Sequence, residues 1–292
     1  MATDWEEVDD VEGERMRIGI VGTGVVGRAL AAYYAESHDL WTVDKKDADY
    51  LVRMVELNAN ADVVFICVGT PYDRSHGHLD CSQVHAAVDV LTGEKTVIIK
   101  STCMPGTTDA VQANHPEHKV FFVPEFLSEA TALEDYAHPR RPHVVGITDS
   151  YTTVAFEDVI DRLLPYSRDV VRSNQHPVLL PAQQAELLKL ATNSFYAMKV
   201  TFANELYDAG ATQEMLDALG SDPWVGGEHF QVEHKGYRGY GGRCLPKDTM
   251  ALANICLRWP LTTDLLWNLF DYVNANNYHR LKTQNIDVNK WL

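Results

Sequence analysis

Long apolar runs are missing from this sequence. No stretch approaches the ~18–20 consecutive apolar residues of a membrane span. The opening MATDWEEVDD also lacks the basic-then-apolar form of a signal peptide. Cysteine is scarce. Five residues, an odd number without paired spacing, exclude a disulfide scaffold and suit free thiols in a reducing cytoplasm. Basic side chains are in deficit, 25 Lys and Arg against 41 Asp and Glu, and the formal net charge of −16 argues against unassisted binding to nucleic acid or an anionic membrane. Internal repeats and low-complexity segments are lacking too. What is present is 46% hydrophobic and 23% charged, the balance of an ordinary soluble globular protein, and 292 residues leave room for two domains.

Part of the charge is local. Asp4, Glu6, Glu7, Asp9, Asp10, Glu12 and Glu14 face only Arg15 within residues 1–16, which have no apolar period and read as a solvated acidic tail. From Arg17 the pattern changes. RIGIVG is a short apolar run suited to a buried parallel strand, and VVGRALAAYYAE after it has helical character. Further strands are expected at 39–44, 62–69, 96–101, 119–124 and 142–147, with a last βα pair running through residue 180. Strands alternating with crossovers predict an α/β fold with a Rossmann-type, doubly wound parallel sheet over 17–180. The second half, 181–292, reads as all-α. Pro181 opens a run without Pro or Gly that Gly210 closes, which predicts a helix over 181–209 of about 43 Å. Helical patterns continue at 212–219, 246–258 and 262–283.

Gly22-Thr23-Gly24-Val25-Val26-Gly27 is G-x-G-x-x-G placed after a strand and opening a helix, the context in which that motif binds a dinucleotide pyrophosphate. Asp44 ends the next strand, where a carboxylate accepts hydrogen bonds from the adenosine ribose and repels a 2′-phosphate. NAD is therefore the expected cofactor, although Lys45 and Lys46 temper the preference. Ligands lie beyond the carboxyl ends of such strands, so the loops Val68-Gly69-Thr70-Pro71 and Ser101–Thr107 are expected to complete the site. The segment Ser75–Cys81 carries His76, His78 and Cys81. It lacks a second ligand pair at structural-zinc spacing, and no metal is expected.

Three further segments carry reactive side chains. Glu125 and Glu129, at i and i+4 after Pro124, would share a face if the segment were helical. Lys189 and Asn193 stand one turn apart on the long helix among apolar neighbours, where the lysine either snorkels or meets a developing alkoxide. In Gly239-Tyr240-Gly241-Gly242-Arg243-Cys244-Leu245-Pro246-Lys247-Asp248, a glycine loop leads to Pro246 in a helix first turn. Cys244 then sits at a helix N-terminus, where the dipole and a lysine favour thiolate.

GTGVVG, ICVGTP, KSTCMPGT, PEFLSE, ELLKLATNSF and GYGGRCLPKD together resemble the UDP-glucose/GDP-mannose dehydrogenase family, in family order, from about Arg17 to the end. The resemblance implies a Rossmann domain joined by a long central helix to a helical dimerisation domain, with a homodimer built on helix 181–209. It implies oxidation of a sugar-nucleotide C6 alcohol twice by NAD, probing UDP-linked sugars first. Cys244 would form a thiohemiacetal and then a thioester. Lys189 and Asn193 would hold the oxyanion, Asp248 would assist proton transfer, and Glu125 would activate water. Thr102, Glu129 and Lys247 would border the nicotinamide. Phe126 and Leu127 would stand with Glu125 on the substrate side, and Gly239, Tyr240, Gly241 and Gly242 would lie against the sugar.

The sequence departs from the family in three places. Members usually continue for about 100 residues, a domain's length, into a nucleotide-gripping domain, so this chain is expected to be a short form. Trp224 stands where an Arg is common, and Arg243 replaces a small residue beside Cys244. Two alternatives remain at this stage: a two-electron β-hydroxyacid-type dehydrogenase, which needs no thiol, and a weakly active or non-catalytic NAD-binding dimerisation module.

Overall fold

In the computed structural model, residues 15–148, 163–165, 177–258 and 265–288 are described. Nearly all of the acidic tail and most of the helical half of the last βα pair lie outside them. In chain order, β1 (Arg17–Val21), α1 (Val25–Tyr34), β2 (Asp39–Val43), α2 (Tyr50–Asn60) and β3 (Val63–Ile66) are followed by a short hairpin, β4 (Tyr72–Asp73) and β5 (His78–Leu79). Then come α3 (Ser82–Asp89), β6 (Thr96–Ile99), α4 (Thr107–Asn114), β7 (Lys119–Phe122), α5 (Ala132–Ala137), β8 (Val144–Ile147) and β9 (Val178–Pro181). The remaining elements are α6 (Ala182–Asp208), α7 (Gln213–Gly220), the small hairpin β10 (Glu233–His234) and β11 (Tyr237–Arg238), α8 (Leu245–Arg258) and α9 (Leu265–Thr283).

Seven strands form one mostly parallel sheet in the order β2-β1-β3-β6-β7-β8-β9. Strand side chains alternate between faces, and both faces are covered. Val64, Ile66, Val97, Ile99 and Phe122 enter one core, while Phe65, Ile98 and Phe121 join Ile18, Ile20 and α1 in the other. This two-sided burial explains why the strands read as continuous apolar runs. The order reverses at β1, so a crevice opens beyond the carboxyl ends of β1 and β3.

One pairing is not parallel. β8 runs antiparallel to β7, and β9 is parallel to β8. The only helix described between β7 and β8 is α5, whose six residues span about 9 Å, too little to carry the chain back across the sheet face. The chain therefore re-enters the sheet from the carboxyl edge.

α6 extends for 27 residues, about 40 Å. Its first turns pack on β8 and α4, and it also packs against α8 and α9. Glu186 fixes the first of these junctions. Its carboxylate is fully buried and accepts from the Gly106 N–H (2.6 Å), the Thr108 N–H (2.8 Å) and the Thr108 hydroxyl (2.6 Å). It thus caps α4 from another helix and anchors the Ser101–Thr107 loop. Replacing Glu186 by Ala strands three donors. The expected loss is on the order of 3 kcal/mol, read as a lower urea midpoint at unchanged slope. A loss below about 1 kcal/mol would show that the junction is held elsewhere.

Candidate active site

The first half of the site is a backbone cradle. Gly22 has φ +95°, and a Cβ there would strike the Cys67 carbonyl of the neighbouring strand's extension; a Cβ on Gly27 would run into the Gly22 carbonyl. Around Gly24, by contrast, no heavy atom lies within 4 Å of a Cβ position. The loop presents bare backbone there, and the N-terminus of α1 has no side-chain cap. Free first-turn N–H groups beside an approachable backbone fit a pyrophosphate. Val25 and Val26 form the first turn of α1.

Asp44, just past β2, leans over this loop. It accepts from the Thr23 N–H (2.9 Å) and hydroxyl (3.2 Å) and from the Lys46 N–H (3.1 Å). These bonds, the Thr23 backbone N–H foremost, hold its carboxyl below the usual carboxylate range. An anion fixed there discriminates against a second phosphate. NAD is accordingly expected to bind more tightly than NADP, and Asp44→Ala should weaken NAD by about ten- to a hundredfold, the worth of a charge-assisted hydrogen bond, while sparing NADP. Fluorescence titration with both cofactors measures this, and equal wild-type affinities would remove the role given to Asp44.

The second half is a chain of hydrogen bonds. On α6, the Lys189 ammonium donates to Asn193 Oδ1 (3.2 Å), and Asn193 Nδ2 donates to Asp248 Oδ2 (2.5 Å) on α8. Lys247 donates to Asp248 Oδ1 (2.6 Å) and, at 3.4 Å, to the hydroxyl of Thr70. Thr70 in turn donates to the Thr102 carbonyl (2.7 Å). Six residues singled out from sequence thus connect four separate elements, and Lys189, Asn193 and Asp248 are buried. Cys244 is exposed and stands one turn before Asp248, whose N–H bonds its carbonyl at 3.0 Å. Burial pushes the Lys189 pKa down, while negative charge on Asp248 and Cys244 opposes the shift.

Other expected residues lie around this chain. Ser101 donates to the Val68 carbonyl (2.8 Å), fastening the two loops over the carboxyl edge, with Gly69 and Pro71 exposed beside Val68. Glu125 and Glu129 do not share a helix face. The backbone from Val123 to Ser128 is irregular, Glu125 is half-buried and Glu129 is exposed. Phe126 and Leu127 pack into opposite cores, as in an extended segment. Phe126 lies under the Lys189 ammonium (4.5 Å to the ring centre) and the Arg141 guanidinium (3.3 Å). Tyr240 is turned inward. Its hydroxyl donates to Asn274 (3.0 Å), and its backbone is clasped by Asn277 through two bonds of 2.8 Å. Only Gly241 and Gly242, with φ +79° at the latter, stay open beside exposed Arg243; Gly239 is buried against Asn277.

The structure adds residues that sequence reasoning missed. Lys100 has a fully buried side chain and forms an ion pair with Glu125. Its signal was a charge closing an apolar strand, TVIIK. Cys81 lies beside Cys103, and hydrogen bonding with that thiol, followed by bonds to Met104 and Thr107, brings its pKa down to about 6. Burial instead pushes Cys67 and Cys256 up. The loop bearing His76 and His78 is pinned to Asp73, with His76 Nδ1 at 2.7 Å from the carboxylate.

Comparison with known proteins follows the same division. The model of the UDP-glucose/GDP-mannose dehydrogenase family NAD binding domain matches residues 49–164, and that of the family's central domain matches residues 183–276. A UDP-glucose 6-dehydrogenase of Rhizobium meliloti (strain 1021) is 35% identical over 284 residues, covering 81% of this chain and 62% of the relative. A UDP-glucose 6-dehydrogenase of Streptococcus pneumoniae is 31% identical over 277 residues, covering 81% and 68%. A solved UDP-glucose dehydrogenase from the hyperthermophilic archaeon Pyrobaculum islandicum superposes with a TM-score of 0.70 at 25% identity, over 90% of this chain and 69% of that one. The chain thus spans about two thirds of the length of the relatives it matches.

Proposed function

The chain belongs to the UDP-glucose/GDP-mannose dehydrogenase family, and from that premise we propose that it is an NAD-dependent enzyme oxidising the C6 alcohol of a UDP-linked sugar to a uronic acid. The observation carrying this reading is the buried run Lys189–Asn193–Asp248–Lys247, which ends one turn from an exposed Cys244. We take residues 17–180 as the cofactor domain and 181–292 as the helical domain.

NAD held on the Gly22–Gly27 cradle and Asp44 supplies the hydride acceptor for both oxidations. Asp248, through an ordered water, accepts the proton of the C6 hydroxyl as the alcohol becomes an aldehyde. The Cys244 thiolate then adds to the aldehyde carbon, and the Lys189 ammonium and Asn193 amide stabilise the oxyanion of the thiohemiacetal. Loss of two further electrons leaves a thioester. Glu125, kept beside Lys100, takes a proton from water as the water attacks the thioester carbonyl, releasing the carboxylate and regenerating Cys244. The net change is four electrons from one carbon, which requires two NAD per sugar. The test is NADH formed per UDP-glucose at completion: two supports the reading, and one points to a simple alcohol dehydrogenase.

The assembly is proposed as a homodimer on α6, in the reducing cytoplasm that free thiols suit. Met198 and Leu206 pack within the protomer, whereas Phe195 and Phe202, seven residues apart on one stripe, stay 51% and 49% exposed. Sedimentation at micromolar concentration should give a dimer, and Phe202→Glu should shift it toward monomer. A wild-type monomer would reject the interface. No helix among the described residues is long and apolar enough to cross a membrane.

A further inference from the structure

At the opposite edge of the sheet from Cys244, where α4 turns into β7, the sequence reads His115-Pro116-Glu117-His118. The His118 N–H bonds the His115 carbonyl at 3.1 Å, closing a four-residue turn with Pro116 at its second position, where the fixed φ of proline favours such turns. The turn is gripped from beneath by Gln112, which is buried. Its Nε2 donates to the His118 carbonyl (2.8 Å) and the His115 carbonyl (3.2 Å), and its Oε1 accepts the Val120 N–H (2.9 Å). The first and last residues of a closed turn project to one side, and the two imidazoles stack 5.8 Å apart at 14°. Glu117 reaches both, 3.5 Å from His115 Nδ1 and 3.8 Å from His118 Nε2. Among the described residues this is the one trio whose ligand atoms all lie within 4.8 Å of one another.

From this geometry we propose that His115, Glu117 and His118 form a binding site for a divalent transition metal of the zinc class. Donors around zinc stand about 3.3 Å apart at bond lengths near 2.0–2.1 Å, so closure needs about an ångström of movement, which the half-exposed Glu117 side chain supplies. Two imidazoles and one carboxylate suit that class of ion, with solvent completing the coordination. Behind the trio, Asp89 at the end of α3 accepts from His115 Nε2 at 2.9 Å, the arrangement that orients a ligating imidazole and leaves its other nitrogen for the metal. Burial lowers the proton affinity of His118, which keeps that ring neutral. Lys95 is the opposing cation felt there, but its ammonium is already engaged by the Asn58 (3.0 Å) and Ala61 (2.7 Å) carbonyls. The ion would clamp α3 to the α4–β7 turn, remote from the reacting residues, so its role is structural.

The test is titration of chelator-treated full chain with Zn²⁺ and Co²⁺. One ion per chain is expected at micromolar affinity or tighter, and the Co²⁺ complex should show visible bands without the intense near-ultraviolet absorption of sulfur ligation. A rise in Tm with stoichiometric Zn²⁺ is expected as well. Affinity should fall about ten- to a hundredfold in Asp89→Asn, and both the binding and the Tm rise should vanish in His115→Gln. Since His118→Ala also empties a buried position, Glu117→Gln on the surface serves as the second ligand variant. Binding that persists unchanged in His115→Gln and Glu117→Gln, sulfur-type Co²⁺ spectra, or no binding at micromolar Zn²⁺ would each overturn the site.

Discussion

With Cys244 replaced by alanine, UDP-glucose is expected to yield no uronate, and the two NADH per sugar of the wild type should fall to one at most. The rate of the four-electron reaction should drop by about a thousandfold or more, the scale on which loss of a nucleophile is felt. The thiol has one task that nothing else in the cluster performs: it converts an aldehyde carbon, which resists hydride loss while hydrated or free, into a tetrahedral centre from which hydride leaves. Cys244 is exposed at the start of α8 and contributes to no core, so the variant should melt as the wild type does and its defect should be chemical. A competing thiol exists in Cys81, whose pKa of about 6 makes it the more ionised cysteine and the more readily alkylated one. It stands beside Cys103 in a partly buried pocket, and Cys81→Ser is expected to keep two NADH per sugar. Wild-type stoichiometry in Cys244→Ala would sink the covalent route.

The features legible in the sequence were those encoded by neighbours along the chain. Gly22, Gly24 and Gly27 announce their cradle because each must be glycine for a contact within a few residues, and Asp44 follows at the end of the next strand. Pro181 and Gly210 bound the long helix for similarly local reasons. Lys189 and Asn193, or Cys244 and Asp248, need only a helix of the usual pitch to share a face. Features set by distant partners were not legible. The apolar run PHVVGI pairs as well antiparallel as parallel, so the reversal of β8 left no mark. Glu125 and Glu129 have helical spacing, but Pro124 and the Lys100 ammonium, 25 residues upstream, hold the segment open and take Glu125 away. Tyr240 reads as loop until Asn277, 37 residues on, clasps its backbone and turns the ring into the helical core.

In Asp248→Asn the chain should fold yet lose activity by about a hundred- to ten-thousandfold, the range of a lost general base or oxyanion donor. Asp248 is fully buried between the Asn193 amide and the Lys247 ammonium. Asparagine matches its shape but offers one acceptor oxygen instead of two, so either Asn193 or Lys247 loses its partner. Breaking a buried charge pair in this way costs about 3–5 kcal/mol, which should also appear as a lower Tm. The consequence reaches Lys189. Burial already pulls its pKa down, and the negative charge of Asp248 is the largest influence opposing that shift. Without it the ammonium deprotonates at lower pH, so the alkaline limb of kcat should move toward acid. A neutral amine cannot hold an oxyanion, and the enzyme loses its cation within its own working range. Lys189→Met should be comparably inactive, and the double variant should be little worse than either single one, since each change disables the same assembly. An alkaline limb that stays in place in Asp248→Asn, or effects of the two changes that multiply, would mean that Lys189 and Asp248 act independently and that the hydrogen-bonded run between them is scaffolding alone.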